Sequence, residues 1–512
     1  MRFSARSSAL AATAAAASLV LAGCAGGDAG GGKAGAATLD IATLTNAQSL
    51  DPKDAIGGAL PYFQAVYDTL VQRAPDGSYR PMLATKWAYD ESRTKLSLTL
   101  RENVRFSDGT AFDADAVKAN LEHFKNGGGG AAKTLAPLKR VTVEDATHLT
   151  LTLSAPDPAM LFHLSDAAGL MASPAKLADG SLRTTPVGTG PYTLDKGRTA
   201  IGNKYTFQRK QDYWGRKLPY ESLTISVFDN ETAVVNGLKT GQIDSAVIQD
   251  ASQQVALASD SKLKKTDFTF DFQGLLLFDR GGVHTPALRK TEVRQALNLA
   301  IDRRTMLDKI RQGRGQTTNQ IYGPETQAYD KALDSHYAHD PAKARQLLAK
   351  AGYSDGFTLK LPRVSAIVSD ALASSIKTDL KAVGVTVTWD QLDGASALRK
   401  IYREKAYSAM VMNIGQSPND WVATQDQVAP GTFNMFGTTD ATVKRLLPKI
   451  QVGSEQEAGD AARALNKHLV EQGWFVPFYR MTYQVVSGPD VEVTPQSGMA
   501  VPSIYNYAPA AS

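Results

Sequence analysis

The sequence predicts an α/β protein of two or three lobes, with mixed sheets flanked by helices. Three observations carry this. The chain has 512 residues, more than one hydrophobic core usually organises. Two separate stretches, 223–248 and 357–389, run strand, helix, strand, the order of a crossover unit. Hydrophobic residues make up 43% of the chain and charged residues 21%, the balance of an ordinary folded protein.

Residues 38–44, TLDIATL, alternate as a strand does, and the polar run TNAQSLDP ends the strand in a loop closed by Pro52. Helical spacing over Ala65, Val66 and Leu70 predicts a helix from about Leu60 to Leu70, followed by a turn at Pro75-Asp76-Gly77. LSLTLR at 96–101 and LTLTL at 149–153 are strands by alternation. Between them VRFSDGTAF turns at Asp108-Gly109, and Asp113 caps a helix burying Val117 and Leu121. VGTGPYTL, from Val187, packs two glycines and a proline into a tight crossing. Strands at 205–209 and 223–228, a helix from Glu231 ending at Gly241, and strand 245–248 complete a partly parallel lobe.

FQGLLLF at 272–278 reads as a buried strand. The strongest helical stripe runs from Glu292 to Ile310, through Val293, Leu297, Ala300, Ile301, Leu307 and Ile310. Asp340 with Pro341 starts another helix, which ends before Gly352. Strand 357–361, a helix over Leu372, Ile376, Leu380 and Val383, and strand 385–389 form a second crossover unit. A last helix spans about Ser454 to Glu471, ahead of WFVPFY and QVV.

The N-terminus carries Arg2 and Arg6, then an apolar Ala-rich run from Ala9 to Leu21, too short to stay as a membrane span. Leu21-Ala22-Gly23-Cys24 resembles a bacterial lipobox, and Cys24 is the one cysteine of the sequence. The resemblance implies that residues 1–23 are a signal peptide and that Cys24 becomes an acylated first residue, with palmitate among its lipids. Each buried acyl CH₂ contributes about 0.8 kcal/mol to such an anchor. Residues 24–37 are a Gly/Ala tether; thirteen such residues span roughly 20 Å as a coil. With one cysteine, no intramolecular disulfide can form, so stability rests on burial.

Several stretches together resemble one family: LDP at 50–52, PMLATKW at 81–87, RENVRFSDGTAFDADAVKANLE at 101–122, PVGTGPY at 186–192, DYWG at 212–215, VRQALNLAIDRRTM at 293–306 and ARQLLAKAGY at 344–353. Their order and spacing are similar to those of the extracellular solute-binding proteins of ABC importers, in the branch that takes peptides and nickel complexes. The resemblance implies a two-lobe clamp with an extra inserted subdomain. Lobe I would comprise 38–60, 187–272 and 485–512, the insert 61–186, and lobe II 273–484. It implies a monomer that catches a peptide or peptide-like solute between the lobes and passes it to permease subunits at the outer face of the cytoplasmic membrane. A nickel chelate or other non-peptide solute is the alternative.

Two regions hold the candidate contacts. One is Thr43, Leu44, Thr45 and Asn46, beyond the end of the first strand, where α/β lobes bind ligands. The other follows YSAMVMN, a strand, into a loop: Asn413, Ile414, Gly415, Gln416, Ser417, Asp420 and Trp421, joined by Asn434 and Phe436. The resemblance places a tryptophan and an amine-binding aspartate where this chain has Ile414 and Ser417. Serine cannot neutralise an ammonium, so Asp420 either substitutes or caps the segment at Trp421.

Other functions find little support. Net charge is +5 without a basic, aromatic-interleaved stripe, so no nucleic-acid partner is expected. Of seven histidines only His336 and His339 lie close together, in a loop-like stretch, and no metal site or cofactor is expected. HExxH, GxSxG, GxxxxGK[ST] and GxGxxG are absent, so an enzyme is not expected; a lipoprotein hydrolase with a scattered triad is the least favoured alternative.

Overall fold

The computed structural model describes residues 38–511, so the signal peptide, Cys24 and the whole tether lie outside the described residues. A nine-stranded mixed sheet organises the molecule, in the order Ala409–Gly415, Lys264–Leu277, Phe475–Ser487, Ser245–Ile248, Thr38–Thr43, Ser222–Val227, Lys204–Arg209 and Tyr192–Leu194; Gly315–Thr317 also pairs with Phe475–Ser487. Thr38–Thr43 runs parallel to both neighbours. The crossover between those neighbours is the helix Glu231–Thr240. Asn230 caps it by accepting from the Ala233 amide at 3.0 Å, and Gly241 ends it at φ 73°.

Two long strands, Lys264–Leu277 and Phe475–Ser487, join the pairings of the sheet. The first half of Lys264–Leu277 pairs with the second half of Phe475–Ser487, which also pairs with Ser245–Ile248. The second half pairs with Ala409–Gly415. The register shifts between Thr269 and Phe272, and again where Gly274 meets Pro477. Proline cannot donate to a ladder, and a Cβ on Gly274 would lie 2.7 Å from Pro477 Cα, so this pairing needs the glycine.

The inserted subdomain is a four-stranded antiparallel sheet, Ala84–Tyr89, Lys95–Leu100, His148–Leu153 and Leu138–Val143, covered by helix Ala114–Asn126. The alternation read from sequence puts Leu96, Leu98, Leu100, Leu149, Leu151 and Leu153 in a core continuous with Leu39, Tyr205, Phe207 and Ile225. Asp108-Gly109 turns as expected: Gly109 has φ 87°, and Asp108 accepts from the Thr110 amide at 3.0 Å. The glycines of VGTGPY serve close approach: a Cβ on Gly188 would meet Val66 O at 2.1 Å, and one on Gly190 would meet Val66 C at 2.5 Å.

That approach also corrects the first helix, which runs Leu60–Val66 and not on to Leu70. The Gly190 amide donates to Val66 O, and Tyr67 is extended with its hydroxyl on Leu50 O at 2.8 Å. The predicted helix from Glu292 to Ile310 is likewise two helices, Thr291–Ala300 and Arg303–Arg311. Ile301 is extended, and Asp302 caps the second helix by accepting from the Thr305 amide at 3.0 Å. The buried Arg303 guanidinium donates to Pro477 O, Thr318 O and Asn298 O at 2.7–3.2 Å and fixes the bend. The apolar stripe survives because Val293, Leu297, Ala300, Ile301 and Leu307 still fall in one core. The second crossover unit forms a separate parallel pair, Phe357–Arg363 with Val385–Gln391, linked by helix Asp370–Lys381. Ser454 and Glu457 close a capping box on helix Glu455–Glu471.

Candidate functional site

The strand Ala409–Gly415 leads through a short loop into helix Asp420–Gln427, where the sequence suggests only a segment beginning at Trp421. Asn419 starts this helix: its Oδ1 accepts from the Trp421 and Val422 amides at 3.0 and 3.1 Å, and its own amide donates to Ser417 Oγ at 3.2 Å. The cap is therefore Asn419, and Asp420 is the first helical residue. The helix buries Trp421, Ala423, Thr424 and Gln427. Its other face, Val422, Gln425 and Asp426, borders a cavity of about 420 Å³.

Phe162, His163, Asp166, Ala167 and Ala168 of the insert form the opposite wall, Ala55, Ile56 and Gly57 a third side, and Pro430–Thr432 the rim. Lys133 of the insert pairs with Asp426 at 3.5 Å across the opening. Much of the lining is apolar, with a few polar groups among it, the composition typical of small-molecule pockets. Burial, with a further contribution from the Arg73 charge and partly offset by Asp166, pushes the His163 imidazole down to about 4. It is neutral at physiological pH and presents one donor and one acceptor. Among the described residues its ring has no protein hydrogen bond. Asp166 Oδ2 accepts from Arg73 Nη2 at 3.2 Å, and Arg73 Cζ sits 4.3 Å over the Phe162 ring.

Thr43, Leu44 and Thr45 line a smaller cavity of about 80 Å³ with Gly58, Tyr62 and Pro502. The turn Ile56–Ala59 separates it from the larger one, and the Tyr62 hydroxyl donates to Thr45 O at 2.9 Å. Asn46 stands outside it, accepting from the Tyr205 hydroxyl at 3.0 Å.

The remaining candidates line neither cavity. Asn413 and Gly415 are exposed along the strand, and Asn413 Oδ1 accepts from Gln273 Nε2 at 2.7 Å. Ile414 and Trp421 pack in the core. Gln416 is buried, donating to Ile321 O at 2.8 Å and accepting from Arg480 Nε at 3.2 Å. Asp420 accepts from the Ala328 amide at 3.1 Å, and burial raises its carboxyl to about 6. Asn434 has its amide and carbonyl engaged by Val428 O, Thr438 O and Arg280 Nη2 at 2.8 Å. Phe436 lies edge-on to His284 and borders a surface hollow with Tyr402 and Lys405.

The cavity residues escaped the sequence reading for two reasons. An eight-residue helix shows too little periodicity, although Pro418-Asn419 ahead of it is a start signal. Phe162, His163 and Asp166 sit in the run MLFHLSDAAGLM, which reads as core.

The family model of bacterial extracellular solute-binding proteins, family 5, matches residues 78–432. The nickel-binding periplasmic protein of Escherichia coli K12 is 27% identical over 349 residues, 63% of this chain and 65% of that protein. The glutathione-binding protein GsiB of Salmonella paratyphi A is 30% identical over 330 residues, 63% of this chain and 62% of that one. The matched region thus spans a little under two thirds of each relative. In fold, the chain is similar to NikA of Brucella suis in complex with Fe(III)-EDTA, with TM-score 0.80 at 22% identity over 92% of this chain and 100% of that one. It is also similar to DppA of Helicobacter pylori in complex with the peptide STSA, with TM-score 0.77 at 21% identity over 93% and 98%. The two-lobed sheet, the inserted subdomain and the match across most of the chain lead to one conclusion: this chain belongs to the bacterial extracellular solute-binding proteins of family 5.

Proposed function

We propose that the protein is the solute-capturing component of an ABC importer, taking a peptide or peptide-like solute into the cavity of about 420 Å³ and delivering it to a permease. One observation carries this reading. The cavity walls come from residues 162–168 and 422–432, segments far apart in sequence and bridged at the opening by Lys133 and Asp426. A solute held there touches both walls at once, and such a difference in contact between open and closed forms is what can drive closure. The cavity falls in the size range of small-molecule sites. The family consists of binding proteins, and nothing in the cavity calls for a reaction.

A metal chelate is the second reading, because the neutral His163 imidazole offers a lone pair without a proton to displace. Relatives are named for binding nickel and for binding glutathione, which supports keeping both readings.

Native mass spectrometry of protein purified from cells is the direct test: a retained mass of a peptide or chelate supports capture, and substrate turnover refutes it. Val422→Trp should fill part of the cavity and weaken binding of the retained solute at least about tenfold, with the melting temperature of the empty protein unchanged. Equal affinity would place the site elsewhere.

Family 5 proteins act outside the cytoplasm. We place this one at the outer face of the membrane through lipid on Cys24, with lobe I, the insert and lobe II divided as the sequence suggests. Cys24→Ser should move the protein from the membrane fraction to the soluble fraction. Retention in the membrane fraction would remove the anchor from this account.

A further inference from the structure

A separate hollow of about 740 Å³ is walled by four arginines, Arg73, Arg80, Arg101 and Arg216, and no carboxylate faces it from its lining. Arg101 is accounted for by packing: Nε donates to Met82 O at 3.1 Å, and its guanidinium lies 4.7 Å over the Trp214 ring. Arg216 donates to Tyr505 O at 3.4 Å, and Arg80 is exposed. Among the described residues, Arg73 alone of the four has a carboxylate partner, Asp166. Arg73 is 6% exposed, and its Nε and Nη1 are buried without any hydrogen-bond partner. Unbonded guanidinium donors in a buried setting are costly, and three further like charges around the same hollow add to the cost.

The buried acid bonded to the hollow's aromatic residues does not relieve this. Asp68 lies behind the wall and accepts from the Tyr213 hydroxyl, the Trp214 indole and the Tyr505 hydroxyl at 2.8–2.9 Å, so its lone pairs serve the aromatic wall. Asp76 feels the Arg80 charge but is bonded to Ser78 on the exposed turn.

We propose that this hollow binds a multiply charged oxyanion, a phosphate or phosphate-ester group, with the exposed Arg80 and Arg216 supplying the donors and the buried Arg73 and the stacked Arg101 the surrounding charge. Guanidinium forks match the spacing of phosphate oxygens, and charge-assisted bonds of this kind outweigh neutral ones. The site is distinct from the cavity between Phe162 and Val422. Arg73 touches both regions, since it stacks on Phe162 and holds Asp166. A free phosphate-bearing solute and a phospholipid headgroup offer the same chemistry.

Calorimetric titration of the full mature protein with inorganic pyrophosphate tests the proposal. One-to-one binding that weakens with salt, and at least about tenfold in the Arg80→Gln/Arg216→Gln variant, is the expected result. Both changed residues are exposed, so folding is not at stake. Cosedimentation with phosphatidylglycerol vesicles, against phosphatidylcholine, separates the sources. Arginine-dependent vesicle binding assigns the headgroup, and pyrophosphate binding without it assigns a free phosphate. No pyrophosphate binding, binding indifferent to Arg80 and Arg216, or binding of an acidic peptide alone would overturn the proposal.

Discussion

Asp334→Ala is expected to lower the unfolding free energy by about 3–5 kcal/mol, the cost of leaving a buried charge without its partner. Arg480 has a fully buried side chain, and its Nη1 lies 2.9 Å from Asp334 Oδ2. The carboxylate also accepts from Tyr329 Oη and Thr318 Oγ1 at 2.7 Å and from Gln320 Nε2 at 2.8 Å. Burial alone would raise its pKa, but the Arg480 bond and charge, with Gln320 and Thr318, hold it below the ordinary value. Its stabilising contribution is therefore complete above the unfolded-state value near 3.8 and is lost as pH falls through the lower folded value.

The consequence reaches the candidate site. Arg480 Nε donates to Gln416 and Nη2 to Tyr322 O at 3.1 Å, so an unpaired Arg480 disturbs the loop that aims helix Asp420–Gln427 at the cavity. Denaturant unfolding reads the stability loss, and native mass spectrometry reads any accompanying loss of retained solute. In Asp334→Ala/Arg480→Met, with both charges gone, most of the stability should return. A single variant that loses under about 1 kcal/mol would show that water reaches Arg480 and that the pair is not truly buried.

Local chemistry was legible in the sequence where it was self-contained. The Asp108-Gly109 turn, the Asp340-Pro341 start and the Ser454 box each satisfy their own backbone groups within a few residues. Strands whose alternation faces one core were legible too, as at 96–100 and 149–153. The two long strands were not. KKTDFTFD is half exposed and carries charges on a ladder whose second half is buried, so only FQGLLLF stood out. Pro477 in WFVPFYRMTYQVVS reads as a break, yet the register shift at Gly274 absorbs it. The helix at 291–311 misled because two helices meeting at a bend bury the same stripe as one, and the burial of Arg303 that makes the bend depends on residues far along the chain. The larger cavity has the same character: Phe162 and Val422 become neighbours of one space only through the fold.

Asp271→Asn is expected to stabilise the protein at pH 7.5 by up to about 3 kcal/mol and to leave it unchanged near pH 4. Asp271 sits at the register shift of the two long strands, opposite Gly415. One oxygen accepts from the Tyr483 hydroxyl at 2.6 Å, and the other, Oδ1, is buried with no partner. Burial raises the carboxyl to about 6, against a smaller lowering by the Tyr483 bond. The folded protein therefore holds the Asp271 proton more tightly than the unfolded chain does. The resulting penalty is absent below the unfolded value near 3.8, grows between there and about 6, and is complete above it. Asparagine keeps an oxygen for Tyr483, places an amide at the orphaned position and carries no charge to desolvate. Asp420, also raised to about 6, titrates in the same window, so the wild-type pH profile alone cannot isolate Asp271. The difference between variant and wild type can. Melting temperatures across pH 4–8 should diverge as pH rises, and parallel profiles would mean that Asp271 finds a partner in solution. A carboxylate that destabilises the two longest strands of the sheet at working pH is the kind of strain that functional motion retains and stability alone would remove.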